Sequence, residues 1–126
     1  MNQGLGYLLV FAGGGLGAMV RHGVNRVSFD ILGPGFPWWT AVVNVSGSFA
    51  IGFLAGLFGA FETGHNLRLF LTTGFLGGFT TFSAFSLDAL TLWERGAPLQ
   101  AGLYVLGSVI LSLLAAAAGL LLSRGI

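Results

Sequence analysis

The chain has 126 residues, of which 55% are hydrophobic and only 7% charged, with a net charge of +1 and a mean hydropathy of +0.89. A soluble domain carries about 25% charged residues, so this is the composition of a membrane protein, and about 20 residues per span leave room for four spans and no soluble domain. The absence of cysteine excludes a disulfide framework and a thiolate site, and the near-zero charge argues against a nucleic-acid partner.

The opening Met1-Asn2-Gln3-Gly4 lacks a basic signal-peptide region, so the first span, 4–27, is expected to be retained. Gly13, Gly14 and Gly17 give it a small-residue face, with Gly13 and Gly17 in the GxxxG spacing of a helix-packing seam. Arg21 lies one turn beyond Gly17 on that face. An arginine near a span end ordinarily snorkels to the head groups. Its alignment with the glycines also allows a second role, attracting anions to a pore mouth. His22 has no partner at metal-ligand spacing.

Residues 30–37, containing Gly33-Pro34-Gly35-Phe36-Pro37, are expected to turn. Trp38-Trp39 then mark the interface where the second span, 38–61, enters the membrane. Thr40, Asn44 and Ser48 recur every four residues beside Gly47, forming one narrow polar face. Two readings of Asn44 stand side by side. It can bond a neighbouring helix, or its N–H groups can replace water around a small anion.

A polar loop at 62–66 leads into the third span, 68–93, and the stretch 72–86 within it is the most unusual of the chain. Gly74, Gly77 and Gly78 each weaken a helix by about 1 kcal/mol relative to alanine. Thr80 and Thr81 add β-branched stiffness and hydroxyls that compete for backbone hydrogen bonds. The third helix is therefore expected to break at mid-membrane. Freed backbone groups there need protein, water or an ion, and many transport sites are built that way. Phe75, Phe79, Phe82 and Phe85 fall near helical spacing, by default a packing stripe, and Ser83 adds a hydroxyl. Asp88 and Glu94 are expected toward the far interface, where charge is cheap. After the turn at Gly96-Ala97-Pro98, the fourth span, 99–122, carries Tyr104, Ser108 and Ser112 at i, i+4 and i+8, a polar track on an apolar helix.

The arginines balance between the two sides: Arg21, Arg26 and Arg95 against Arg68 and Arg124. The positive-inside rule then gives almost no preferred orientation, which allows insertion both ways and an inverted dimer. Four short helices do not readily enclose a pore, a separate reason to expect an oligomer. No catalytic constellation is present. Asp30, Glu62, Asp88 and Glu94 lie in loops or near span ends, unsuited to carrying protons through the membrane, and no P-loop lysine follows the glycines. What remains are neutral donors and rings: Thr40, Asn44, Ser48, Phe82, Ser83, Phe85, Tyr104, Ser108 and Ser112. Hydroxyl and amide groups donate to a small, strongly hydrated anion, and a phenylalanine presents a positive edge to it. Fast passage requires several modest sites rather than one deep well.

Residues 13–21 (GGGLGAMVR), 44–49 (NVSGSF) and 74–85 (GFLGGFTTFSAF) resemble the CrcB/Fluc fluoride channels over the whole chain, the third motif being the most specific. The resemblance implies an all-α integral membrane protein of the cytoplasmic (inner) membrane, its third helix broken, assembled as an antiparallel dual-topology homodimer. It further implies two pathways for passive fluoride export, with Phe82 and Phe85 lining them edge-on and Asn44 in the same path. Carbonyls of Gly77 and Thr80 from both subunits would hold a central structural Na+, with no organic cofactor. This chain departs from the family pattern at Ala84, where Thr or Ser is usual, and at His22, where an aromatic is common. Slower transport is expected if the hydroxyl missing at Ala84 helps solvate the ion. The runner-up, a small proton-coupled multidrug-type exporter, requires a carboxylate in the first span, and 4–27 contains none. A small subunit of a larger membrane complex would explain the glycine seams but not the asparagine, hydroxyls and broken helix together.

Overall fold

The computed structural model describes residues 2–126, all in helices or the connections between them. Helix α1 (Gln3–Leu32) starts where the Asn2 side chain accepts a 2.9 Å hydrogen bond from the Gly4 amide, satisfying one otherwise orphaned donor. It ends at Gly33, whose φ of 79° suits a residue without a Cβ. The turn expected at 30–37 is therefore shorter: Asp30, Ile31 and Leu32 remain helical because nothing before Gly33 breaks the helix. Helix α2 spans Trp38–Ala60.

The third apolar stretch is composite. Helix α3 (65–79) opens as His65–Arg68, continues as a π-helix over Leu69–Leu76 and closes as Gly77–Phe79. Thr80 (φ −89°, ψ 158°) and Thr81 (φ −151°, ψ 118°) are extended, and helix α4 (Phe82–Glu94) follows. Helix α5 (Pro98–Arg124) starts on proline, whose missing N–H costs nothing in a first turn. Counting His65–Glu94 as one, four helices among the described residues are long and apolar enough to cross a membrane.

Glycine seams set the packing. A Cβ on Gly13 of α1 would lie 2.7 Å from the Phe70 carbonyl oxygen, and one on Gly78 of α3 would collide with the Gly14 carbonyl. Likewise, a Cβ on Gly119 of α5 would lie 2.8 Å from the Phe53 amide nitrogen of α2. With no hydrophobic drive between helices in lipid, such close backbone approach supplies the packing. Gly74 and Gly78 of the third stretch thus serve contact with α1, and Gly77 itself is helical (φ −62°, ψ −34°). The extended residues are the two β-branched threonines, whose side chains favour strand-like backbone. Phe85, Leu92, Ala101 and Tyr104 form a small core between α4 and α5.

Candidate functional site

Interrupting the helix at Thr80 and Thr81 leaves backbone groups to be satisfied. The Thr80 N–H and hydroxyl both donate to the Leu76 carbonyl at 3.0 Å. The Thr81 N–H donates instead to Asn44 Oδ1 (2.8 Å), and Asn44 Nδ2 donates back to the Thr81 carbonyl (2.9 Å). The carboxamide thus stands in for a peptide group from a neighbouring strand of chain. Thr81 Oγ1 accepts from the Ala84 amide at 3.1 Å and caps α4. Arg21 Nε donates to the Gly78 carbonyl at 3.0 Å. Among the described residues, the carbonyls of Gly77 and Thr80 receive no such bond.

Beside the interruption lies a cavity of about 480 Å³. Helix α2 contributes Asn44, Gly47 and Ser48; α3 contributes Thr72, Leu76 and Gly77; Thr80 and Thr81 follow; α4 adds Phe82 and Phe85; and α5 adds Ser108 and Ser112. Every polar group on this wall is neutral. Asn44, which lines the cavity, has two N–H donors and donates one hydrogen bond, to Thr81. Phe82 and Phe85 are tilted neighbours with ring centroids 5.5 Å apart, and Phe85 also contacts Tyr104 at 5.2 Å. Phe85 is 8% exposed, whereas Phe82 is 77% exposed on the single chain.

The family profile described as CrcB-like protein, Camphor Resistance (CrcB), matches residues 8–120. The chain belongs to the CrcB family. A protein of Rhodopseudomonas palustris (strain BisB5) named fluoride-specific ion channel FluC is 60% identical over 122 residues, covering 95% of this chain and 98% of its own length. A protein of the same name from Paracoccus denitrificans (strain Pd 1222) is 54% identical over 120 residues, 95% of each chain. Another, from Mesorhizobium japonicum, is 49% identical over 119 residues, 94% of this chain and 96% of its own. With its four apolar helices, this CrcB chain is a multi-pass membrane protein. The name its relatives share describes a channel, not an enzyme.

The expected residues of this CrcB chain fall into two groups. Asn44, Gly77, Thr80, Phe82, Phe85, Ser108 and Ser112 meet at the cavity. Arg21, Thr40, Ser83 and Tyr104 stand off its wall. Ser83 Oγ lies 3.3 Å from Thr81 Oγ1, and Arg21 is held on the Gly78 carbonyl. Thr40 Oγ1 (2.6 Å) and the Tyr104 hydroxyl (3.0 Å) both donate to Asp88 Oδ2. Sequence reasoning gave Asp88 no partners. It is half-buried and accepts hydrogen bonds from Thr40 of α2 and Tyr104 of α5. Its spacing from Phe85 and Leu92, the buried residues of α4, was the available signal. Thr81 weakens the helix as its side chain predicts, and its backbone is in addition the group that Asn44 engages.

Proposed function

We propose that this CrcB chain is a fluoride-selective channel that exports the ion passively across the inner membrane. It works as a homodimer of oppositely inserted copies with two pathways, and the helix interruption lies at mid-membrane. The single observation carrying this reading is the cavity of neutral donors and phenylalanine rings built around the Asn44–Thr81 pair. The name shared by the relatives supports the choice of ion. The exposed Phe82 ring, at the edge of that cavity, supports burial against a second copy.

A fluoride ion entering the site gives up water. The second Asn44 N–H and the hydroxyls of Ser108 and Ser112 replace some of that hydration, while Phe82 and Phe85 offer ring edges. Thr40, Ser83 and Tyr104 belong to the same polar path, Thr40 and Tyr104 being aligned by Asp88. Among the described residues no charged side chain lines the cavity, so no side-chain cation traps the ion. Arg21, held behind the wall on Gly78, adds long-range attraction without direct contact.

The carbonyls of Gly77 and Thr80 fit a structural Na+. They are hard oxygen donors left without hydrogen-bond partners by the interruption, and no carboxylate accompanies them. Such an ion would supply positive charge that holds the interrupted backbone in place. The exporter reading gains nothing from Asp30, which joins α1 only in its last turn, exposed and away from the cavity.

Liposomes carrying the protein and loaded with both salts test the proposal. Fluoride should leave rapidly and chloride should be retained; equal loss of the two refutes selectivity. Phe82→Ile and Phe85→Ile should each cut the flux with the dimer intact. Unchanged flux in both returns the rings to packing.

A further inference from the structure

A second concavity, of about 300 Å³, lies away from the interruption, between α1 and the first turn of α2. It is lined by His22, Asn25, Arg26, Phe29, Asp30 and Trp39. His22, Arg26 and Asp30 follow one another at i, i+4 and i+8, so a base, a cation and a carboxylate stand in a row along one helix face. The walls are fixed. Phe29 and Trp39 pack with ring centroids 5.5 Å apart. The Asn25 amide, in the orientation that satisfies both neighbours, donates to the carbonyls of Trp39 and Arg21 at 3.2 Å each, tying α1 to α2. Trp38 and Trp39 open α2, at the level where tryptophans sit among lipid head groups.

The geometry points to a binding site for the head group of a zwitterionic phospholipid bearing a primary ammonium. Arg26, with His22 beside it, takes the phosphate. Asp30, whose Cβ stands about 5–6 Å from that of Arg26 as for any i and i+4 neighbours, takes the ammonium, and a phosphate and amine joined by two carbons are short enough to meet both. Trp39 lines the same groove and adds aromatic surface beside that cation. An anionic head group would meet Asp30 as a like charge, and a quaternary ammonium has no N–H to give a carboxylate. Arg26 and Asp30 do not simply consume each other, because a base preceding an acid at this spacing is the weaker orientation of a helical ion pair.

The full-length protein, purified in mild detergent and mixed with equimolar phosphatidylethanolamine, phosphatidylglycerol and phosphatidylcholine, tests this by native mass spectrometry. Phosphatidylethanolamine should be retained about fivefold over the other two, the worth of one partly screened ion pair of about 1 kcal/mol. Asp30→Asn should erase that preference, and Arg26→Gln should weaken retention of all three lipids. Arg95→Gln, outside the groove, should change neither. The assignment is overturned if the parent protein shows no preference, or if the preference survives Asp30→Asn. Displacement of the lipid by an equal concentration of glycerophosphoethanolamine would also overturn it, giving the groove to a soluble ligand.

Discussion

Replacing Asn44 by leucine removes both hydrogen bonds to Thr81 while roughly conserving volume. A side-chain hydrogen bond between membrane helices is worth only about 0.6 kcal/mol on average, so bond counting alone would predict a small effect. The Thr81 N–H, however, is extended and off the helix ladder, with Asn44 Oδ1 as its acceptor. An orphaned buried donor costs about 1–3 kcal/mol. The Thr81 carbonyl suffers less, because an N-cap carbonyl also faces the first turn of its own helix. The sum is about 2–3 kcal/mol, concentrated at one residue. Amide hydrogen exchange in micelles should therefore accelerate at Thr81 by roughly 30-fold for 2 kcal/mol of local protection. Ser48→Ala is the control: that hydroxyl only bonds back to the Asn44 carbonyl of its own helix at 2.7 Å, and Thr81 exchange should not move. If Asn44→Leu leaves Thr81 exchange within about twofold of the parent, the carboxamide does not hold the interruption and the reasoning fails.

Gly78→Ala should destabilise the chain by about 1–3 kcal/mol in detergent unfolding, because the new methyl meets the Gly14 backbone. Gly15→Ala, which meets nothing, should be neutral or stabilise by up to about 1 kcal/mol. A double-mutant cycle on Asp88→Asn and Tyr104→Phe should give a coupling of about 0.5–2 kcal/mol; strict additivity would mean their 3.0 Å hydrogen bond contributes nothing. Replacing Na+ by N-methylglucamine should lower the melting temperature of the parent and of Thr80→Ala equally, since the proposed ligands are backbone oxygens. An unchanged melting temperature in the parent removes the sodium proposal.

The helical architecture was legible because it rests on composition and length, and apolar stretches of about 20 residues survive any detail of packing. The glycine seam at Gly13 and Gly17 was legible too, since GxxxG spacing has one main physical use. Within the third stretch, the same rule pointed less directly. Intrinsic propensity marks glycines as weak points, but tertiary contact with α1 holds Gly74 and Gly78 helical, so the extended backbone moved to Thr80 and Thr81. Nothing in the residues announces the π-helix at Leu69–Leu76, because its wider turn reflects accommodation to neighbours rather than local preference. Both readings of Asn44 were kept open, and its dual bond to Thr81 shows the helix-bonding one at work. The partners of Asp88 are not legible in the sequence, because charge near a span end is ordinarily cheap without any. Only the pairing of α4 with α2 and α5 brings Thr40 and Tyr104 to it.

The two halves of the third stretch are anchored to different parts of the molecule. Gly74 and Gly78 rest on α1, Arg21 of α1 grips the Gly78 carbonyl, and Asn44 of α2 secures Thr81. All of these moorings precede residue 65 in the chain, so a ribosome making the protein from its N-terminus has already delivered them. The third stretch thus emerges onto a prepared cradle that can bend it at Thr80 and Thr81 as it arrives. The α4 helix waits for a later arrival, when Ala101 and Tyr104 of α5 close over Phe85 and Leu92, and α2 waits for Gly119 of the same helix.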